Sequence, residues 1–275
     1  MMKLSHSMIT DKDEIKARMK AIKTFILDMD GTIYLGNDIF PYTRRFLDRV
    51  EETNRSYYFF TNNSSKDLQA YIDKLDKMDI PITKEQMMVS TDVILEYLSS
   101  HHPGAKLYVV GTPALLRAFT TAGWTLDDED PDVVILGFDT TLTYEKLSKL
   151  CTFIRHGKTY YGINPDLNCP VEGGEFIPDC GSIARCVESS TGVYPEFFGK
   201  PSRRTLDYIV KATGLKPEEI AIVGDRLYTD IAVADNSDVL SILVLSGETK
   251  KEDVPESKHQ PDIMIKNIGE LAKLL

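Results

Sequence analysis

Short, almost wholly apolar runs alternate with amphipathic stretches along most of the chain. FIL at 25–27 is followed by helical patterning around 43–53, YYFF at 57–60 by a helix from about 66 to 78, and MMV at 87–89 by one around 91–99. Towards the C-terminus, EFF at 196–198 precedes a helix near 202–213. IAIV at 220–223 precedes one near 229–234, and SILVL at 241–245 is a last strong strand. This alternation predicts an α/β fold. Strands apolar at every position predict a parallel sheet covered on both faces.

The middle of the chain reads as a second α/β unit. LYVV at 107–110 leads into a helix at 113–122, and VVIL at 133–136 into a helix at 144–156, with TYYGI at 159–163 after it. Pro103-Gly104 punctuates one edge; Gly173-Gly174 and Pro178 punctuate the other. The expectation is a domain at 103–180 inserted into a larger one made of 23–102 and 181–275. Residues 1–22 form an N-terminal extension, in which ITDKDEIKARMKAIKT reads as a short helix packed on the core or on a partner.

Composition narrows the function classes. Of 275 residues, 42 are acidic and 32 basic, a net charge of −10. That balance argues against a nucleic-acid polymer or an anionic membrane as partner, both of which need a basic footprint. The longest apolar runs fall far short of the ~20 residues that span a bilayer, and no signal-peptide core is seen, so a cytoplasmic location is expected. Cys151, Cys169, Cys180 and Cys186 form no C-x-x-C pair and have no zinc spacing. They read as reduced thiols, Cys180 as a small packed one rather than a redox switch.

Four motifs directly follow apolar strands. DMDGT at 28–32 puts Asp28 and Asp30 at a strand's C-terminal end, where open parallel sheets bind ligands. Gly31 permits a sharp turn there, and the Thr32 hydroxyl can hydrogen-bond it; an ordinary Asp-Gly turn also fits. TNNS at 61–64 offers the Thr61 hydroxyl and the amides that follow to an anion, or else an N-cap at Ser64 or Ser65. GKP at 199–201 carries Lys200, a point charge for a phosphate or a solvated surface lysine. GDRLYTD at 224–230 carries Asp225 and Asp230, which can face one cavity, or form a turn and a surface acid. Taken together they bring three or four carboxylates, a lysine and a threonine to one sheet edge. Such carboxylates repel one another unless a cation intervenes, and oxygen ligands suit Mg²⁺.

The set, in this order, resembles the haloacid dehalogenase superfamily of phosphotransferases. The insertion between TNNS and GKP is similar to its larger α/β cap. LDMDGTIY, FFTNNSS, GINPD, FFGKPS, VGDRLYTDI and LVLSGET resemble the NagD/p-nitrophenyl phosphatase branch more narrowly. The resemblance implies a Rossmann-like parallel-sheet core with an inserted α/β cap. It implies a Mg²⁺-dependent phosphatase for small phosphorylated metabolites such as sugar phosphates, pyridoxal phosphate or nucleotides. Asp28 would be the nucleophile that becomes an aspartyl-phosphate, and Asp30 the acid and base. Mg²⁺ would be held by the Asp28 carboxylate, the Asp30 backbone carbonyl and Asp225, with Asp230 in support. Thr61, the Asn62 amide and Lys200 would hold the phosphoryl oxygens, with Asn63, Gly31 and Thr32 supporting. Asn164 and Asp166 of GINPD, with the loop on to Pro178, are candidate substrate contacts, or simply an Asn-Pro-Asp turn. Dimerisation through the cap is a further implication. A phosphotransferase to an acceptor other than water and a non-catalytic phosphometabolite-binding protein are the alternatives. One departure stands out: PDCGSIA at 178–184 keeps only Gly181 of an expected hinge pair of glycines.

Overall fold

The computed structural model describes residues 8–171 and 175–275. Residues 1–7 of the N-terminal extension and the Gly173-Gly174 pair lie outside the described residues. The strands are β1 (Thr24–Leu27), β2 (Tyr34–Leu35), β3 (Asp38–Ile39), β4 (Ser56–Thr61), β5 (Met87–Val89), β6 (Lys106–Val110), β7 (Thr125–Leu126) and β8 (Val133–Leu136). They continue with β9 (Thr159–Gly162), β10 (Asn168–Pro170), β11 (Phe176–Pro178), β12 (Glu196–Phe197), β13 (Ile220–Gly224), β14 (Leu240–Val244) and β15 (Ile263–Ile265).

The chain divides into two compact units. The first takes in residues up to Thr61, Ile72–Met88 and Leu206–Leu275; the second takes in Asn62–Tyr71 and Val89–Thr205. The second is thus longer than the 103–180 expected from punctuation alone.

The first unit is built on a six-stranded sheet in the order β15-β14-β13-β1-β4-β5. Every residue of β1, β13 and β14 is buried, as parallel strands covered on both faces require. The parallel register sets Leu27 beside both Val223 and Phe59. The C-terminal ends of β1, β13 and β4 therefore lie side by side, carrying Asp28, Asp225 and Thr61. The N-terminal helix Lys12–Ala21 starts at Asp11, whose carboxylate accepts from the N–H groups of Asp13 and Glu14. Met19 and Ile22 are buried. Arg55 ties this segment down, donating to the carbonyls of Ile22 and Met19 at 2.9 and 3.1 Å. Through these residues the helix packs on its own core.

The second unit has a five-stranded parallel sheet in the order β12-β9-β8-β6-β7 and a small antiparallel pair, β10-β11. Leu150 and Ile154 of helix Tyr144–Arg155, with Ile183 and Val187 of helix Cys180–Thr191, pack on Val110, Val134 and Leu136. Two sequence expectations change here. EFF at 196–198 adds β12 to the second sheet beside β9, because the pairing of so short a run depends on its neighbours, not its composition. The helix at 180–191 was unmarked, because Cys-Gly-Ser is a weak helix opening. Asp179 caps it, accepting from the Cys180 N–H. Gly181 packs so closely on the preceding loop that a Cβ would meet the Pro165 carbonyl oxygen at 2.2 Å.

The Cys180 thiol is fully buried and donates to the Leu136 carbonyl at 3.2 Å. Burial pushes its ionisation far above the ordinary thiol range, as a packed thiol requires. In the same core the Tyr160 hydroxyl has no hydrogen-bond partner among the described residues. An unsatisfied buried hydroxyl costs about 1 kcal/mol or more. Tyr160→Phe is therefore expected to raise the melting temperature by roughly 2 °C, which calorimetry checks. Among the described residues, no helix is long and apolar enough to cross a membrane.

Candidate functional site

In the first unit the DMDGT turn closes through its backbone. Gly31 N–H donates to the Tyr34 carbonyl at 2.8 Å, and the N–H groups of Thr32 and Ile33 to the Met29 carbonyl. Gly31 sits at φ 84°, and a Cβ there would lie 2.4 Å from Asp225 Oδ2, so only glycine fits. The expected hydroxyl bond from Thr32 is not made. Thr32 is fully buried and its Oγ1 has no partner among the described residues, the backbone having already closed the turn.

Asp225 follows β13 and is 2% exposed. Its Oδ2 accepts the Glu248 N–H at 2.6 Å, while its Oδ1 has no hydrogen-bond partner among the described residues. Asp230 Oδ2 accepts the Arg226 N–H at 3.1 Å. This bond spans the start of a π-type turn over Leu227–Ile231, which a 3₁₀ turn follows, where the sequence predicts a regular helix near 229–234. The wider turn fits because Gly224 lets the Asp230 side chain approach: a Cβ on Gly224 would lie 2.3 Å from Asp230 Cβ.

Asp28, Asp225 and Asp230 each present a carboxylate oxygen within 4.8 Å of the others. Asp230, assigned a supporting part from the resemblance, is one of the three. Burial first, then the charges of Asp28 and Asp230, push the Asp225 carboxyl well above its usual range; Arg226 and the Glu248 N–H pull the other way. Three convergent carboxylates, with a buried oxygen that no donor among the described residues meets, fit a hard divalent cation.

Asp30 stands apart from that trio. Burial raises its carboxyl above the ordinary range, against the opposing pull of Lys74, the Gly36 N–H and Arg226. Lys74 sits 3.8 Å from the centre of the buried Tyr34 ring.

The second unit holds the other candidates. The Asn62 side chain grips the backbone of Lys200 at both polar ends: Oδ1 accepts from Lys200 N–H and Nδ2 donates to its carbonyl, each at 2.8 Å. Nδ2 also donates to Asp166 Oδ2 at 2.8 Å. Lys200 is 3% exposed, which excludes the solvated-lysine reading. Asn63 Oδ1 accepts from the N–H and hydroxyl of Ser65 at 2.9 and 2.7 Å. Neither Ser64 nor Ser65 caps the helix Leu68–Lys77; Asp67 Oδ1 accepts from Ala70 N–H instead. The Ser64 hydroxyl is engaged elsewhere, donating to Asn164 Oδ1 and accepting from Phe138 N–H.

Asn164 and Asp166, the candidate substrate contacts, are 0% and 4% exposed. Asn164 Nδ2 donates to Asp166 Oδ2 and Asp179 Oδ1, both at 3.0 Å. Buried polar groups already joined in such a network hold a turn in place, so the Asn-Pro-Asp turn is the reading that the geometry favours.

A haloacid dehalogenase-like hydrolase model matches residues 25–125, and a second HAD-hydrolase-like model matches 197–271. The chain belongs to the haloacid dehalogenase-like hydrolases. An acid sugar phosphatase of Staphylococcus aureus is 35% identical over 253 residues, 92% of this chain and 97% of that one. The 4-nitrophenylphosphatase of Thermotoga maritima superposes with a TM-score of 0.89 at 42% identity, covering 93% of this chain and 98% of that one. NagD from Escherichia coli K-12 superposes at 0.83 with 28% identity, covering 90% and 98%. Within its family the chain is of the NagD and p-nitrophenyl phosphatase type.

Sequence reasoning missed a role for the SGET segment at 246–249. Ser246 Oγ donates to the Gly31 carbonyl at 2.7 Å. Gly247 leaves no room for a side chain, since a Cβ would fall 2.0 Å from Asp225 Oδ2. A serine and a glycine directly after the apolar run SILVL were the available signal.

Proposed function

We propose that this hydrolase is a Mg²⁺-dependent phosphatase of small phosphomonoesters working through an aspartyl-phosphate. The observation that carries the reading is the carboxylate trio at neighbouring strand ends, with the buried, unmatched Oδ1 of Asp225. Asp28, the half-buried member, attacks phosphorus as the bond to the leaving oxygen breaks. Asp30 donates its proton to that oxygen. Water then attacks the phosphorus of the aspartyl-phosphate, gives its proton to the Asp30 carboxylate, and inorganic phosphate leaves with Asp28 restored. The upward shift at Asp30, caused by burial, is in the direction that favours the first role.

The Mg²⁺ would be held by the carboxylates of Asp28 and Asp225 and the backbone carbonyl of Asp30, with Asp230 in support. When bound, it offsets the repulsion among the carboxylates and the charge of the phosphoryl group. Thr61, Asn62 and Lys200 are the proposed holders of the phosphoryl oxygens. Because the Asn62 side chain is committed to Lys200 and Asp166, its contribution falls to its backbone N–H. The name of the staphylococcal relative makes sugar phosphates the first substrates to try.

The test is phosphate release from p-nitrophenyl phosphate and a panel of sugar phosphates, before and after chelation. Chelated protein is expected to lose turnover and regain it on adding Mg²⁺. Undiminished turnover in excess chelator would overturn the metal dependence, and no turnover across the panel would favour a binding role.

A further inference from the structure

Glu248 makes three contacts around one member of the carboxylate trio. Its backbone N–H donates to Asp225 Oδ2 at 2.6 Å. Its side chain accepts from Arg226 Nε on Oε2 at 2.8 Å and from the Tyr228 hydroxyl on Oε1 at 3.0 Å. Arg226 in turn engages Asp230, whose Oδ2 accepts its N–H. The next residue, Thr249, donates its N–H to the Asp225 carbonyl at 3.2 Å.

The arrangement is a closed loop. The Glu248 carboxylate grips the side chains of Arg226 and Tyr228, one and three residues after Asp225, and that grip holds its own N–H against Asp225 Oδ2. With Oδ2 fixed by a backbone donor, rotation of the Asp225 carboxylate is blocked. Its other oxygen, Oδ1, is held as a buried atom without a hydrogen-bond partner among the described residues. A side chain that is itself 43% exposed thus has its effect inside the cluster.

We infer that Glu248 is a positioning residue for the cation, acting through Arg226, Tyr228 and its own N–H to orient Asp225. This rests on the proposed Mg²⁺ site. Outer partners that orient a metal ligand typically change metal affinity by 10- to 100-fold. An exposed, single-bridge partner belongs at the lower end.

The experiment is calorimetric titration of Mg²⁺ into wild type, Glu248→Ala, Glu248→Gln, Arg226→Ala and the Arg226→Ala/Glu248→Ala double variant, with thermal melts of each. Glu248→Ala is expected to weaken Mg²⁺ binding about tenfold. Glu248→Gln should restore most of it, because the amide can still accept from Arg226 and bond to Tyr228. The double variant should bind no more weakly than the weaker single one, since both remove the same bridge. Turnover should follow the metal: Glu248→Ala needs more Mg²⁺ for half-maximal rate, with kcat at saturating Mg²⁺ largely kept. A Glu248→Ala protein that binds Mg²⁺ like wild type overturns the inference, as does a Gln variant that falls as far as the Ala one. If Glu248→Ala does not fold, Tyr228→Phe decides: about a threefold weakening is expected, the scale of one ordinary hydrogen bond lost, and none overturns it. Failure of wild type itself to bind Mg²⁺ counts against the proposed function instead.

Discussion

Asp28→Asn is expected to lower turnover of p-nitrophenyl phosphate by about 10⁴-fold or more, the scale seen when a covalent nucleophile is removed. That is roughly 5 kcal/mol of transition-state stabilisation. The amide has nearly the same shape as the carboxylate, so the β1 end need not rearrange. The accompanying stability change separates chemistry from damage. Asp28 is one of the charges that push the Asp225 carboxyl upward, so neutralising it relieves repulsion in the metal-free protein. The melting temperature without Mg²⁺ should therefore hold or rise while activity disappears. Equal turnover by wild type and variant, both with Mg²⁺, would exclude Asp28 as nucleophile.

Asp30→Asn should separate catalysis from metal binding. General acid–base groups typically contribute 10²- to 10⁴-fold, and a loss of about that size in kcat is expected. Mg²⁺ affinity should hardly change, because the proposed ligand at this position is a backbone carbonyl and the side chain lies outside the trio. Asp225→Asn is the contrast: it removes a buried carboxylate of the trio, and Mg²⁺ affinity should fall steeply. Calorimetric titration of the two variants side by side checks this. Equal loss of affinity in both would refute the division of roles.

The motifs could be read from sequence because each follows a strand whose composition leaves little choice. FIL, IAIV and the apolar part of SYYFFT can only be interior strands. Parallel pairing then brings Asp28, Asp225 and Thr61, the first residue of TNNS, to one side of one sheet without any further information. What escaped detection depends on partners far along the chain. EFF at 196–198 resembles any buried strand, and its sheet is decided by Tyr161 and Gly162 opposite. Asn164 and Asp166 have the composition of a surface turn. They are buried because Asn62 and Asp179, remote in sequence, supply donors and acceptors. The importance of Gly247 comes from the space taken by Asp225, which no local pattern records.

The hydrogen bond from Ser246 to the Gly31 carbonyl spans 215 residues, and it has a consequence in time. During synthesis the DMDGT segment leaves the ribosome early, while β13, β14 and SGET are still unmade. A nascent or truncated chain ending before β13 carries Asp28 but neither Asp225 nor the Glu248 N–H that holds it. The carboxylate trio of Asp28, Asp225 and Asp230 is therefore assembled only in the last part of translation.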